Sequence, residues 1–516
     1  MPRAHRLRPR LALAALALSG ACATAPERPA PSAPAPAPSA GRPEGDPVVA
    51  SLPGPERWRA HLANELLPFW TRPEALGEPL GNFPTFRCLD GRAYRPEAPC
   101  PGFEAAPPWV ARELDAEYTR MKSRQAFAYG VGFHVTGDPT LLAYARAGVD
   151  YLRRHAYERD TGSAVTYWRA GRPGPPPPQR TAQDLAYAQL GLAFYYYLTR
   201  DPDVLADLVR LKDHVFGSYY EPSTGLVRWV LEAGEAGRPE QRELVALLDQ
   251  INAYLLLVAP LLDEPARGRW LGDLGRLARA LVDRFYAPEQ GLFWGAIHEP
   301  ERRRLGSNNT DFGHSIKALW MVLLVGELVG DAALVAFARE HAPRLLARAA
   351  QPSGCWASGV GPSGELDRGS VWWASAELDQ AAATLALRDR ALARYLPGAY
   401  ACWFERFVDR EGHEVWPFVS AEWPNDLGRP RRVPKAFHWK NGYHSTEHAL
   451  VALLTTAGLQ RRPVELHYAF RRAPERDRIR PYLFRGTIAA SSPEPLPASP
   501  EFAGLSGLRV TFRDLR

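Results

Sequence analysis

The stretch "EPSTGLVRW", residues 221–229, decides the fold, because the chain repeats its pattern. A glycine sits at the centre, polar or acidic residues precede it, and apolar residues follow. Glycine admits the positive φ of a tight turn, and the residues after it suit a short strand. Related turns are "RCLDGRAY" around Gly91, "ERDTGSAVTYW" around Gly162, "APEQGLFW" around Gly291, "QPSGCW" around Gly354 and "DREGHEVW" around Gly412. Counting Gly225, successive central glycines lie 71, 63, 66, 63 and 58 residues apart. Internal repeats of this period are stacked supersecondary units.

Between the turns, apolar residues recur at i, i+3, i+4 and i+7, as in "AQDLAYAQLGLAFYYYLT", "SIKALWMVLLVGEL" and "ALVAFAREHAPRLLARA". That period is helical, and each interval has room for two helices. Six turns with two helices each predict an all-α fold, an (α/α)6 toroid with short hairpin loops, over residues 56–460. In such a ring the loops line the mouth of a central cavity. An open helical solenoid is the alternative, but aromatic-rich turns suit a ligand funnel better. In residues 461–516, "VELHYAF", "PYLFRGTIAAS" and "LRVTFRDL" alternate apolar and polar residues, which predicts a small antiparallel sheet with a structural role.

The first 22 residues read as a lipoprotein-type signal peptide. Arg3, Arg6, Arg8 and Arg10 precede an apolar run from Leu11 to Leu18, too short to span a bilayer, and "SGAC" ends at Cys22. Cys22 is the expected lipidation site of an exported protein anchored toward the periplasm or cell surface; plain secretion is the alternative. Residues 23–55 read as a tether, since ten of the thirty residues from Pro26 to Pro55 are proline. Export would place the other four cysteines in an oxidising compartment. Cys88 and Cys100 bracket a short turn and could bridge or stay free; the sequence says less about Cys355 and Cys402.

The net charge is +6, and only five of the 63 basic residues are lysine. The arginines are scattered, with no basic run interleaved with aromatics, which argues against a nucleic-acid partner. An apolar content of 46% is that of a globular chain with a large core.

Four stretches carry candidate chemistry. Arg124 lies in "KSRQAFAYG", His314 in "DFGHSIKALW", Trp373 and Glu377 in "WWASAEL", and His444 in "WKNGYHSTEHAL". Trp373 and Glu377 share a helical face. A tryptophan beside a carboxylate suits a sugar, whose apolar ring face stacks on an aromatic while its hydroxyls need acceptors.

In this order and spacing the four stretches resemble the N-acylglucosamine 2-epimerase family, which also holds mannose isomerases and cellobiose epimerases. The resemblance covers residues 57–459 and implies an (α/α)6 barrel acting at C2 of a reducing sugar, by epimerisation or aldose–ketose isomerisation. It assigns His314 and His444 as the acid/base pair, Glu377 as a pocket glutamate and Arg124 as the residue that holds substrate oxygens. No metal or organic cofactor is implied. Three positions depart from the family. Lys317 stands where a glutamate is usual, Glu447 where an arginine is usual, and "DQINAYLLL" around Asn252 and Tyr254 lacks the usual third histidine. Lys317 and Glu447 are nevertheless expected at the substrate site, joined as a salt bridge beneath the histidines. In that arrangement Glu447 would favour the His444 imidazolium and Lys317 a neutral His314, making His314 the starting base.

Three other readings compete. "HSTEH", residues 444–448, matches the H-x-x-E-H zinc-hydrolase motif. Asp184 and Glu377 could form the carboxylate pair of a glycoside hydrolase. A ring with an altered pocket could also bind sugar without turning it over.

Overall fold

Each glycine turn read from the sequence closes a hairpin. In the computed structural model, Tyr157–Glu158 pairs antiparallel with Ser163–Ala164, Tyr220–Glu221 with Leu226–Val227, and Tyr286–Ala287 with Leu292–Phe293. The other three turns close on the bridges Arg87–Ala93, Ala350–Trp356 and Val408–Val415. Five of the six central glycines have positive φ, from +62° at Gly291 to +90° at Gly91. In the sixth turn the positive φ falls on His413 and Glu414 instead of Gly412. The structure describes residues 46–101, 103, 106–419 and 433–516. The expected signal peptide, Cys22 and the tether up to residue 45 lie outside the described residues.

Among the described residues, twelve helical segments alternate between an outer and an inner ring. The outer ones span 55–70, Pro139–His155, Pro202–Ser218, 266–285, Ala332–Ala349 and 396–407; the inner ones span Thr119–Thr136, Ala182–Thr199, 244–258, Phe312–Val329, Trp372–Ala386 and Tyr443–Leu459. Composition sorts them. Pro139–His155 buries a stripe of Leu141, Leu142, Ala145, Gly148, Val149 and Leu152 and exposes its other face, as an amphipathic outer helix must. Thr119–Thr136 is buried on every side, all but its last residue. Two inner segments, Leu244–Leu261 and Phe312–Val329, are long and apolar enough to cross a membrane, but they are mostly buried inside the ring.

Three inner-to-outer turns share one device. Gly137, Arg200 and Gly330 take the left-handed conformation that ends an inner helix. The next residue, Asp138, Asp201 or Asp331, caps the outer helix by accepting a backbone N–H two residues on. Each such cap stabilises by about 0.5–2 kcal/mol. The last inner helix returns to the first: the Asn441 amide donates to the Met121 carbonyl at 2.8 Å, and Arg124 Nη1 to the Trp439 carbonyl at 2.7 Å.

Two features differ from expectation. Residues 46–55, assigned to the tether, fold against the ring. Pro47–Ser51 is helical, Val49 and Leu52 are buried, and Gln460 Nε2 donates to both of their carbonyls. The C-terminal sheet is antiparallel as read, with Ser506–Arg513 between Val464–Phe470 and Thr487–Glu494. Its connecting segment, however, sends Tyr482 into the ring core, where the residue is 4% exposed.

Both cysteine pairs form disulfides, Cys88–Cys100 and Cys355–Cys402, with Cα–Cα distances of 5.3 and 5.2 Å. The second ties a hairpin turn to the outer segment 396–407.

Candidate active site

The inner helices present a layer of polar residues at one level of the ring. Arg124, Tyr187, Asp249, Lys317 and Glu377 each lie five positions after the first residue of their helix (119, 182, 244, 312, 372), and Glu447 lies four after 443. The repeat makes these positions equivalent, and neighbours touch in ring order. The Arg124 guanidinium stacks 3.9 Å over the Tyr187 ring. Tyr187 donates its hydroxyl to Asp249 Oδ1 at 3.0 Å. Lys317 Nζ stands 3.4 Å from Asp249 Oδ1 and 3.6 Å from Glu377 Oε1. The carboxyls of Glu377 and Glu447 come within 4.8 Å of each other and of a His444 ring nitrogen.

The two histidines and Trp373 sit one turn nearer the helix starts. Asp311 caps the fourth inner helix: its Oδ1 accepts the His314 N–H at 2.8 Å, and its Oδ2 contacts His314 Nδ1 at 2.7 Å. Nε2 is left for the cavity. His314 and Trp373 rings are 4.5 Å apart, and the Trp373 and His444 rings 6.2 Å. Trp373 can lie there because Gly313 has no Cβ; one would meet the indole at 2.6 Å. His444 Nδ1 faces Glu377 Oε1 at 3.4 Å.

These groups surround a cavity of about 530 Å³ that Arg124, His314, Lys317, Trp373 and His444 all line. The volume is within the range of small-molecule sites, about 300–1,000 Å³. Trp229, Trp372 and Trp439 add aromatic wall, and Glu243, pushed up to about 7 by burial, lines it too. Glu377 and Glu447 do not border the cavity. Expected to touch substrate, they lie buried beneath it, 0% and 3% exposed, and their roles pass through neighbours.

The electrostatics correct a second expectation. Among the described residues, Lys317 makes no salt bridge with Glu447; it pairs with Asp249 and Glu377, and Glu447 Oε1 instead accepts from the Tyr482 hydroxyl at 2.6 Å. Glu377 stands between the two because it occupies the intervening helix of the layer. Burial opposes the Lys317 charge, but Tyr187, Glu377, Asp249 and Glu447 outweigh it and hold the ammonium above the usual lysine range. His444 is held well below the usual histidine value, first by burial and then by Lys317 and Arg124. The expected imidazolium at His444 is therefore reversed. Burial, Lys317 and Arg124 outweigh the pull of Asp249 and favour the neutral imidazole.

The competing sites separate in space. His448 turns away from His444 into the core, where its Nε2 meets Asp379 Oδ2 at 2.9 Å. The two histidines of "HSTEH" therefore do not converge. Glu377, His444 and Glu447 could together offer three metal ligands, but Lys317 already places a positive charge 3.6 Å from Glu377 Oε1. Asp184 is held by Arg120 at 2.6 Å and by Thr181 at 2.8 Å, outside the cavity lining, so it does not pair with Glu377. In place of the third histidine, Asn252 Nδ2 donates to the Tyr443 hydroxyl at 3.3 Å and Tyr254 is buried with its hydroxyl on Gln250. Asp249, Tyr187 and Asp311 had no assigned role in the sequence. Asp249 had a signal: it is an acid inside the apolar run "LVALLDQINAYLLL".

No family model matches the chain. It is 22% identical over 347 residues to a cellobiose 2-epimerase of Bacteroides fragilis, covering 63% of this chain and 84% of that protein. Among solved structures it is similar to the cellobiose 2-epimerase of Bacillus thermoamylovorans, with a TM-score of 0.62, 16% identity and coverage of 77% and 98%. The corresponding values are 0.61, 19%, 79% and 97% for the cellobiose 2-epimerase of Spirochaeta thermophila, and 0.61, 15%, 77% and 97% for a D-mannose isomerase. These structures carry the (α/α)6 toroid fold.

Proposed function

We propose that this chain, whose relatives support an N-acylglucosamine 2-epimerase-like family, is a carbohydrate epimerase or aldose–ketose isomerase acting at C2 of a reducing sugar. The observation that carries the reading is two imidazoles, His314 and His444, on one cavity and against one indole, Trp373. Inverting or migrating a C–H bond beside a carbonyl needs one group to take the proton and one to return it.

Neutral His444 takes the C2 proton at Nε2. The C–H electrons become the C1–C2 double bond, and the carbonyl electrons move onto O1. Arg124 and the Lys317 ammonium stabilise the resulting oxyanion in a water-poor site. The O1 electrons re-form the carbonyl as His314, oriented by Asp311, delivers a proton to the other face of C2 for epimerisation. For isomerisation of an aldose the proton is returned to C1 instead, and the O2 hydroxyl proton passes to O1 as the C2 carbonyl forms. Trp373 supports the sugar ring face.

The test is incubation with mannose, glucose, N-acetylmannosamine or cellobiose in heavy water. The reading expects deuterium at C2. Hydrolysis or binding alone incorporates none. We also infer export and lipidation at Cys22. The basic–apolar–SGAC order supports that address, and two disulfides accord with an oxidising compartment. Cys22→Ala should release the protein from the membrane fraction; wild-type protein found wholly soluble would contradict the anchor.

A further inference from the structure

Around the polar layer from Arg124 to Glu447, four of the five successive pairs are complementary. Guanidinium meets phenol, phenol meets carboxylate, and ammonium meets carboxylate on each side. Then two carboxyls, Glu377 and Glu447, adjoin. Three buried atoms there lack a hydrogen bond of normal geometry: Glu377 Oε1, Glu447 Oε2 and His444 Nδ1. Buried polar atoms are rarely left so, and one ligand atom of each of the three residues lies within 4.8 Å of the other two.

The geometry points to an acid–carboxylate pair in which Glu447 keeps a proton on Oε2 and donates it to Glu377 Oε1, making Glu447 a positioning residue for His444. That proton and the Nδ1–H of the neutral His444 imidazole together satisfy all three atoms. Glu377 Oε1 accepts from Glu447 and from His444 Nδ1–H, which fixes the tautomer with a free lone pair on Nε2, the atom proposed above as base; in that respect the inference rests on the proposed function. A second cation would have to sit beside the Lys317 ammonium, whereas a proton adds no such repulsion. The groups that face Glu447 pull in both directions, and burial, the largest cause, carries the balance. Glu377 disfavours a second negative charge, and burial disfavours any charge. The Tyr482 hydroxyl satisfies Oε1, while Tyr443 and Lys317 pull the other way without prevailing, and the Glu447 carboxyl is pushed up to about 7. An arginine at this position would make such a proton unnecessary; a glutamate requires it.

The pair is tested without substrate by infrared difference spectroscopy of the full chain, titrated from pH 5 to 9. The expected result is a neutral-carboxyl C=O band that fades near pH 7 in a Glu243→Gln background, which removes the other carboxyl pushed up to about 7, and that is lost when Glu447→Gln is added. With substrate, Glu447→Gln keeps a donor and should lower kcat less than tenfold while removing a fall in kcat above pH 7. Glu447→Leu cannot donate and should lower kcat at least 100-fold. No band in the Glu243→Gln background, a band that persists there when Glu447→Gln is added, or zinc retained at one equivalent through dialysis would overturn the pair. Because the band needs no turnover, a chain that fails to exchange C2 hydrogens would still decide this point.

Discussion

Asp311 performs two tasks for His314: one carboxylate oxygen caps the helix at the His314 N–H, 2.8 Å, and the other holds its Nδ1, 2.7 Å. The orientation of the His314 ring and the start of the helix are therefore set by one side chain. Asp311→Asn keeps a good cap, so stability should change by only a few tenths of a kcal/mol. It loses the charged acceptor at Nδ1, and kcat should fall by at least about tenfold. Asp311→Ala loses both and should also cost about 1 kcal/mol. Parallel thermal denaturation and C2-exchange kinetics separate the two tasks.

Lys317 is the cation between Asp249 and Glu377. Lys317→Met leaves both acids buried beside each other and should destabilise by about 3–5 kcal/mol. A double-mutant cycle with Asp249→Leu should show coupling above about 1 kcal/mol, and the same cycle with Glu447→Gln a smaller one. Equal coupling to both would restore the direct Lys317–Glu447 bridge that the ring order argues against.

The pH dependence of stability follows from Glu447. Its folded value, about 7, exceeds that of an ordinary glutamate. The folded state thus binds the proton more tightly, so this contribution is complete below about pH 4 and is lost as pH rises through 7. The loss is on the order of 3 kcal/mol at full ionisation. His444 acts oppositely: its depressed value contributes stability above the usual histidine range that is lost as pH falls below it. Urea denaturation should show the wild type weakening relative to Glu447→Gln from about pH 4.5 to about 7, with a constant offset above that. Parallel curves from pH 5 to 9 would show that Glu447 does not titrate near 7.

The disulfides close loops of 12 and 47 residues. On chain-entropy grounds they contribute about 3 and about 4 kcal/mol. Reductant should lower the melting temperature, and Cys355→Ala paired with Cys402→Ala should account for the larger part.

The ring was legible because its signals are local and repeated. Six glycine turns and a helical period between them fix the number of units, and the strand Val464–Phe470 falls on "VELHYAF". His314, His444, Arg124 and Trp373 could be singled out for the same reason: each lies in the first two turns of an inner helix within a distinctive stretch. What the sequence could not carry is which equivalent positions touch. Lys317 and Glu447 both look inward, but whether they meet depends on Glu377, which lies in a helix between theirs in the ring. Tyr482 was beyond reach as well, since its contact with Glu447 spans a separate C-terminal segment that reads only as strand and turn. His444 was misread because its neighbours in sequence suggested charge, whereas its burial, a tertiary property, sets its protonation.

The central claim is proton transfer at C2 by His314 and His444. The most direct measurement is deuterium incorporation at C2 of the active sugar in heavy water, by wild type, His314→Ala and His444→Ala, each checked for native melting. The account predicts exchange by the wild type and a loss of about 10²–10⁴-fold in each variant. Exchange at the wild-type rate in both folded variants would contradict it.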